Sequence, residues 1–156
     1  MAERSSIDTL IPDVRVRIKN ERDLPFDPKA DIISVTVFED VNVTGMFTFT
    51  LACWDSVEMR VRWIDDDFLA EGSGVEIDMG YRDNLETLFK GEITGLEPEF
   101  PSQQPPVLTV RGYDRRHRLM GKRKSRTFLK MKDSEIANQI AADWSLSPEV
   151  EDTRLT

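Results

Sequence analysis

Apolar and polar positions alternate through much of the chain, and the alternation runs far more often with a period of two than with the 3.6 of a helix. Val14-Arg15-Val16-Arg17-Ile18-Lys19 sets apolar against basic residues, the pattern of a strand with one buried face. Ile32 to Phe38 is a β-branched run with Ile33, Val35 and Val37 on one side, and Met46 to Leu51 places Phe47, Phe49 and Leu51 together. Met59 to Trp63 gives a shorter alternation, and Val75 to Tyr81 a clean one with Val75, Ile77, Met79 and Tyr81 inward. Thr87 to Glu97 reads as a long strand with Gly91 and Gly95 on one face. Glycine inside a strand marks a bend, a bulge or a close backbone approach. Val107 to Tyr113 follows, with Leu108 and Val110 sharing a face. Turn signals separate these runs: Pro25 and Pro28, Gly72-Ser73-Gly74, Arg82-Asp83-Asn84 and the proline-rich stretch from Pro98 to Pro106.

Helical spacing is clear only near the end, where Ile136, Ala137, Ile140, Ala141 and Trp144 recur at the helical period. Asp133 or Ser134 is positioned to cap that helix, Glu135 suits its first turn, and Pro148 follows its stop. The pattern therefore predicts a mainly β fold with a minor α component. It is an antiparallel β-barrel of about eight strands with a short helical turn and a C-terminal helix. The predicted organisation is an N-terminal arm over 1–13, a barrel domain over 14–132, and a helix over 133–156 that begins a connection to a following domain.

Composition narrows the function classes. The 156 residues suffice for a core without disulfide or metal support. The one cysteine, Cys53 in Leu51-Ala52-Cys53-Trp54, reads as a small buried hydrophobe. The N-terminus has no apolar signal region, and no apolar run reaches the ~20 residues of a membrane span. The reading is thus cytoplasmic synthesis and no membrane insertion. Net charge is −8, which disfavours general nucleic-acid binding. Yet residues 111–132 hold ten Lys/Arg and one acid, a window of +9 that leaves −17 elsewhere. Such a split suits contact between copies of one protein.

No catalytic constellation emerges. His117 lies among Arg115, Arg116 and Arg118 with no activated nucleophile motif in the sequence. One cysteine and one histidine cannot build a zinc site, and no glycine-rich phosphate loop is present. The acid run Asp65-Asp66-Asp67 lacks the alternate spacing of a calcium loop. Catalytic, cofactor and metal residues are all predicted absent. The basic segment has only Tyr113 and Phe128 as aromatic company, few platforms for stacking bases. A tail-associated cell-wall hydrolase and a nucleic-acid-binding module using 111–132 are the alternative readings.

One order of motifs is specific. Leu88-Phe89-Lys90-Gly91-Glu92-Ile93-Thr94-Gly95-Leu96-Glu97-Pro98 is followed by Leu108-Thr109-Val110-Arg111-Gly112-Tyr113-Asp114-Arg115-Arg116-His117-Arg118-Leu119. Arg126-Thr127-Phe128, read as a returning strand, and Asp133-Ser134-Glu135-Ile136-Ala137 come next. Over residues 75–146 this resembles the phage late control protein D family and its relatives. These are the hubs of contractile phage baseplates, the VgrG spikes of type VI secretion, and the spikes of extracellular contractile injection systems. Gly45-Met46-Phe47 and Asn84-Leu85-Glu86-Thr87 are most similar to the injection-system branch. The resemblance implies a structural barrel that trimerises, and a ring that adapts a sixfold tail tube to a threefold spike. Tail-tube and spike or baseplate proteins are the implied partners, and a phage tail or tail-like particle the implied destination. Family members usually run longer, with a second barrel, so six copies rather than three are also possible. Arg111, Arg115, Arg116, Arg118, Lys122 and Arg123 form the predicted interface between subunits. Gly91, Gly95, Gly112, Tyr113, Asp114 and Leu119 form the structural motif, with Asp114 placed to cap the turn running through Leu119.

Overall fold

In the computed structural model, residues 12–19, 25–26, 31–65, 67–81, 84–121 and 123–154 are described. The chain divides after Asp114 into two compact units, whereas the sequence pattern carries the β domain on to 132. Residues 1–114 hold every buried apolar residue among those described. The predicted arm lies outside the described residues except for Pro12 and Asp13, which already belong to the first strand.

The first unit is an antiparallel sheet built from β1 (Pro12–Lys19), β2 (Pro25–Phe26), β3 (Ile32–Phe38), β4 (Met46–Ala52), β7 (Gly74–Tyr81), β8 (Asn84–Glu99) and β9 (Val107–Tyr113). Their order is β2-β1-β7-β8-β9-β4-β3, and β5 (Trp54–Asp55) and β6 (Arg60–Val61) form a separate ribbon. The mainly β, antiparallel expectation holds, with seven strands curled into a half-barrel plus the ribbon. The Pro25 region, read as a turn, supplies a two-residue strand against Ile18 and Lys19.

The curl comes from β8. Asn84 to Glu92 pair with β7, Glu92 to Glu99 pair with β9, and only Glu92 faces a partner on both sides. One long strand therefore hands over between two blocks of sheet, whose inner faces meet in a single core. Val16, Ile18, Val75, Ile77 and Phe89 come from one block, and Phe47, Phe49, Leu51, Leu108 and Val110 from the other. The Phe47 ring stacks 5.9 Å from Phe49 and meets Phe89 edge-on at 5.5 Å. Cys53, Trp63 and Leu69, from the long connection between β4 and β7, complete the core.

Bulges set the register and correct two expectations. Ile33 is the extra residue of β3 opposite β4, so it stands exposed while Ile32, Val35 and Val37 pack on the core. Leu88 and Thr94 are the extra residues of β8. The Thr94 bulge puts Gly91 on the core face and Gly95 opposite Arg111 on the outer one, so the two glycines do not share a face. At the far end of β7, Met79 packs against the core as the alternation implies, whereas Tyr81, expected inward, is exposed.

On the outer face, β1 and β7 carry a buried ion network. Arg17 donates from Nε and Nη2 to the two carboxylate oxygens of Asp78, at 2.9 and 2.7 Å, and pairs with Glu76 at 2.8 Å. The Thr87 hydroxyl donates to Asp78 at 2.7 Å. The hydrogen bond from Arg17 holds the Asp78 carboxyl below its ordinary value, against the opposing effect of burial.

The second unit, 115–156, has a 3₁₀ turn (Arg115–Met120) and helix α1 (Asp133–Asp143). The predicted Arg126-Thr127-Phe128 strand is not formed: residues 123–129 have no regular structure. Among the described residues of this unit, no partner strand lies beside them. Lys132, not Asp133 or Ser134, is the N-cap of α1. Glu135 reaches back to accept from the Lys132 N–H at 3.0 Å, and the Thr153 hydroxyl accepts from the Ser134 N–H at 3.1 Å. The tail thus satisfies a free donor of the first turn, a long-range cap that local spacing does not reveal. The helix stops in a Schellman motif, with Leu146 N–H bonded to Ala141 O and Ser145 N–H to Ala142 O.

Two predictions follow from this packing. A Cβ at Gly112 would overlap the Glu92 carbonyl and the Phe47 ring, whereas one at Gly95 meets nothing within 4 Å. Gly112→Ala is expected to cost about 1–3 kcal/mol, and Gly95→Ala to be neutral or slightly stabilising, by thermal unfolding. Equal melting temperatures for the two variants would refute the close approach. The depressed Asp78 pKa means its stabilising contribution is full above the unfolded carboxylate value, about 3.9, and is lost as pH falls through the folded value. Asp78→Asn should lower stability at pH 7 by about 1–3 kcal/mol and flatten the loss of stability as pH falls below about 4. A variant with the wild-type acid profile would exclude Asp78 as its source.

Candidate assembly surface

The curl that buries one face of the sheet leaves the other turned outward, and on β3, β4 and β9 that face is uncharged over most of its area. Register aligns Phe38, Met46 and Tyr113 in one cross-strand row, and Thr36, Thr48 and Arg111 in the next. Ser34, Thr50 and Thr109 make a third. Phe38 is 51 % exposed, Met46 40 % and Tyr113 41 %, an apolar row rather than scattered residues. The β3–β4 loop beside it adds exposed Val41 and Val43 next to Glu39 and Asp40.

That loop is held by the end of β9. Asp114 Oδ2 accepts from the Gly45 N–H at 2.7 Å, while the Asp114 N–H donates to the Gly45 carbonyl at 2.9 Å. A Cβ on Gly45 would lie 3.0 Å from both Asp114 Oδ2 and the Phe89 ring. Gly112-Tyr113-Asp114 is thus a fold-closing motif: Gly112 admits Phe47, Tyr113 joins the outer row, and Asp114 clasps the loop. Asp114 reads from sequence as a cap for the following turn, but this carboxylate bond runs 69 residues back along the chain. Only the adjacency of Gly45 to a predicted strand hinted at it. Leu119, the last member of the motif, is 41 % exposed on the 3₁₀ turn.

The predicted interface residues fall in both units. Arg111 lies on the outer face of β9 and pairs with Glu97 at 2.8 Å, with both side chains more than half exposed. Such a pair contributes little to stability. Arg115 and Arg116 are exposed on the 3₁₀ turn, and Arg118 approaches the Trp144 carbonyl at 3.5 Å. Arg123 is exposed in the irregular stretch, and Lys122 lies outside the described residues. Lys124 sits 4.5 Å over the Trp144 ring, and Arg126 pairs with Asp143. The division also separates charge: residues 1–114 carry 23 acids against 11 Lys/Arg, and residues 115–156 carry 6 against 10.

Other titratable and aromatic groups have structural contacts. Cys53 is buried, and burial pushes its thiol up to about 11, so little thiolate exists near neutral pH. Trp63, in a left-handed conformation with φ 70°, donates from Nε1 to Asp31 at 2.9 Å under the Arg62 guanidinium. Sequence alternation had placed Trp63 in a strand, and neither its role as a plug nor the Arg17–Asp78 network was visible there. No group of three or more His, Cys, Asp or Glu side chains able to hold a metal occurs among the described residues. No helix among them is long and apolar enough to cross a membrane.

The clasp makes a further prediction. Asp114→Ala should lower the unfolding free energy by about 1–3 kcal/mol, because it strands the Gly45 N–H, and Asp114→Asn should restore part of that. Hydrogen exchange at Gly45 should quicken in the alanine variant; an unchanged rate would show that the loop is held otherwise.

Comparison with known proteins gives this geometry a setting. The fold matches a 43 kDa tail protein of prophage MuSo2 from Shewanella oneidensis, with a TM-score of 0.63, 11 % identity and 86 % of this chain covered. It also matches the tail protein from Neisseria meningitidis MC58, with a TM-score of 0.60, 17 % identity and 86 % covered. The chain spans 38 % and 34 % of the lengths of those two proteins. No curated protein matches it in sequence. At these identities the matches establish a common fold. The model of the Alg8 N-terminal domain matches residues 13–156, nearly the whole chain, and the chain belongs to that family.

Proposed function

We propose that this chain is a structural subunit of a contractile phage tail or a tail-like injection device, and that its work is mechanical rather than catalytic. The observation that carries the reading is the fold, shared over 86 % of the chain with two tail proteins, one of them of a prophage. The resemblance of residues 75–146 to the late control protein D and VgrG hubs supports the finer form. In that form the domain belongs to a central hub ring, of three copies or of six, between the tail tube above and the spike below.

Two features of the surface favour self-assembly. The apolar row Phe38, Met46 and Tyr113 and its threonine neighbours offer a flat face that burial would stabilise. The acidic first unit and basic second unit suit a closed ring in which unlike surfaces of successive copies meet. Arg111, Arg115, Arg116, Arg118, Lys122 and Arg123 are the proposed interface cations, facing acids of the neighbouring copy.

The expected result is a trimer or hexamer by light scattering of the purified chain, weakening as salt rises. Replacing Arg115, Arg116 and Arg118 together by alanine should reduce the oligomer at physiological salt while leaving the unfolding transition in place. A monomer at every concentration and salt would overturn self-assembly of this chain. Steeply salt-dependent DNA affinity without self-association would favour the nucleic-acid alternative.

A further inference from the structure

The two ends of the sheet are treated differently. At one end β2 is two residues long and begins with Pro25, which has no N–H to offer another chain. At the other, β3 runs seven residues, Ile-Ile-Ser-Val-Thr-Val-Phe, with no charge, proline or glycine. Among the described residues it pairs with β4 alone. Natural sheets blunt such edges with lysine, proline, inward charges or bulges. Here the one bulge, at Ile33, lies at the start and leaves Ser34 to Phe38 in regular register.

A segment with complementary properties lies in the second unit. Residues 123–129 have no regular structure, although Arg126-Thr127-Phe128-Leu129 is strand-like in composition. Alternate side chains are held within their own unit: Lys124 over Trp144, Arg126 on Asp143, and Phe128 half-buried. Residues 123–127 are all exposed, as is Leu129 at 79 %. The alternation lies in the contacts, with Lys124 and Arg126 anchored and Phe128 half-buried, as on a strand with one face held. Its charge is basic, whereas β3 is flanked by Asp31 before it and by Glu39 and Asp40 after it.

We propose that β3 is a strand acceptor, and that its occupant is the basic segment 123–130 of a second copy of this chain. Main-chain hydrogen bonds would supply affinity, and the acids at the ends of β3 would select a basic strand. The contact joins unlike surfaces, an edge on one copy and a segment on the next, and it closes a ring where the rotation between successive copies allows. The proposal rests on the self-assembly reading above and names the contact that makes it.

The test uses the full chain and a synthetic peptide of residues 123–131. Hydrogen exchange should show the β3 amides protected in the oligomer, or in a monomeric sample once the peptide is added. Thr36 is exposed on the outer face of β3. Thr36→Lys should weaken association about tenfold or more by opposing the basic strand, and Thr36→Glu should preserve or tighten it. Both variants should melt near the wild-type temperature. An oligomer whose β3 amides exchange freely, or which responds equally to the two charges, would overturn strand donation and leave the ring standing. A monomeric chain whose β3 the peptide protects would support the acceptor edge while refuting unaided ring closure. A monomer left unprotected by the peptide would end both.

Discussion

The fold depends on one crossing. A single sheet with one apolar face has no second layer to cover that face, so it must curl until its two halves cover each other. β8 accomplishes this by changing partners at Glu92, and the crossing brings two backbones closer than side chains allow. A Cβ on Gly91 would stand 2.5 Å from the Tyr113 carbonyl, and one on Gly112 would strike the Glu92 carbonyl. Two glycines on opposite strands therefore clear the same point. The Phe47 ring fills the inner side of that point, and its contacts with Phe49 and Phe89 tie the two blocks together. The Leu88 and Thr94 bulges on either side add the local twist that the turn of the strand needs.

The same curl sorts the rest of the molecule. With the apolar residues inward, β1 and β7 present their charges outward, and Arg17, Glu76 and Asp78 become a network dense enough to exclude water from Asp78, 5 % exposed. β3, β4 and β9 carry threonine and serine outward instead, with an apolar row at one end. The two blocks thus differ in kind: one outer face satisfies itself electrostatically, while the other is uncharged but for Arg111 and its partner Glu97. The second unit contributes no buried apolar residue among those described, only Ser134. It is held by surface pairs and by its tail.

How much of this the sequence announces depends on whether the signal is local. Period two located the main strands, because each buries one face, and Val16, Ile18, Phe47, Phe49, Leu51, Val75 and Ile77 are all inward as the alternation implies. It failed at two bulges: Ile33 is itself the inserted residue and Gly95 follows one, so both ended on the wrong face, and nothing in composition marks the insertion. The strand expected at Arg126-Thr127-Phe128 had the composition but no neighbour, and a strand is a property of a pair. The cap of α1 came from Thr153 and the partner of Asp114 from Gly45, contacts across 19 and 69 residues that no local pattern encodes. Of the proposed interface, the basic cluster was legible as a charge run. The apolar row was not, because Phe38, Met46 and Tyr113 become neighbours only through register.

The irregularities of the first unit (bulges, close glycine approaches, the Asp114 clasp) serve curvature and closure, and the buried carboxylate of Asp78 is satisfied within the sheet by Arg17 and Thr87. The exposed features are extended: a row of three apolar side chains, a charge-free edge strand, an anchored basic segment. Features of that shape have a physical use when another extended surface lies along them, since flat faces and strand edges gain little from small molecules and much from chains.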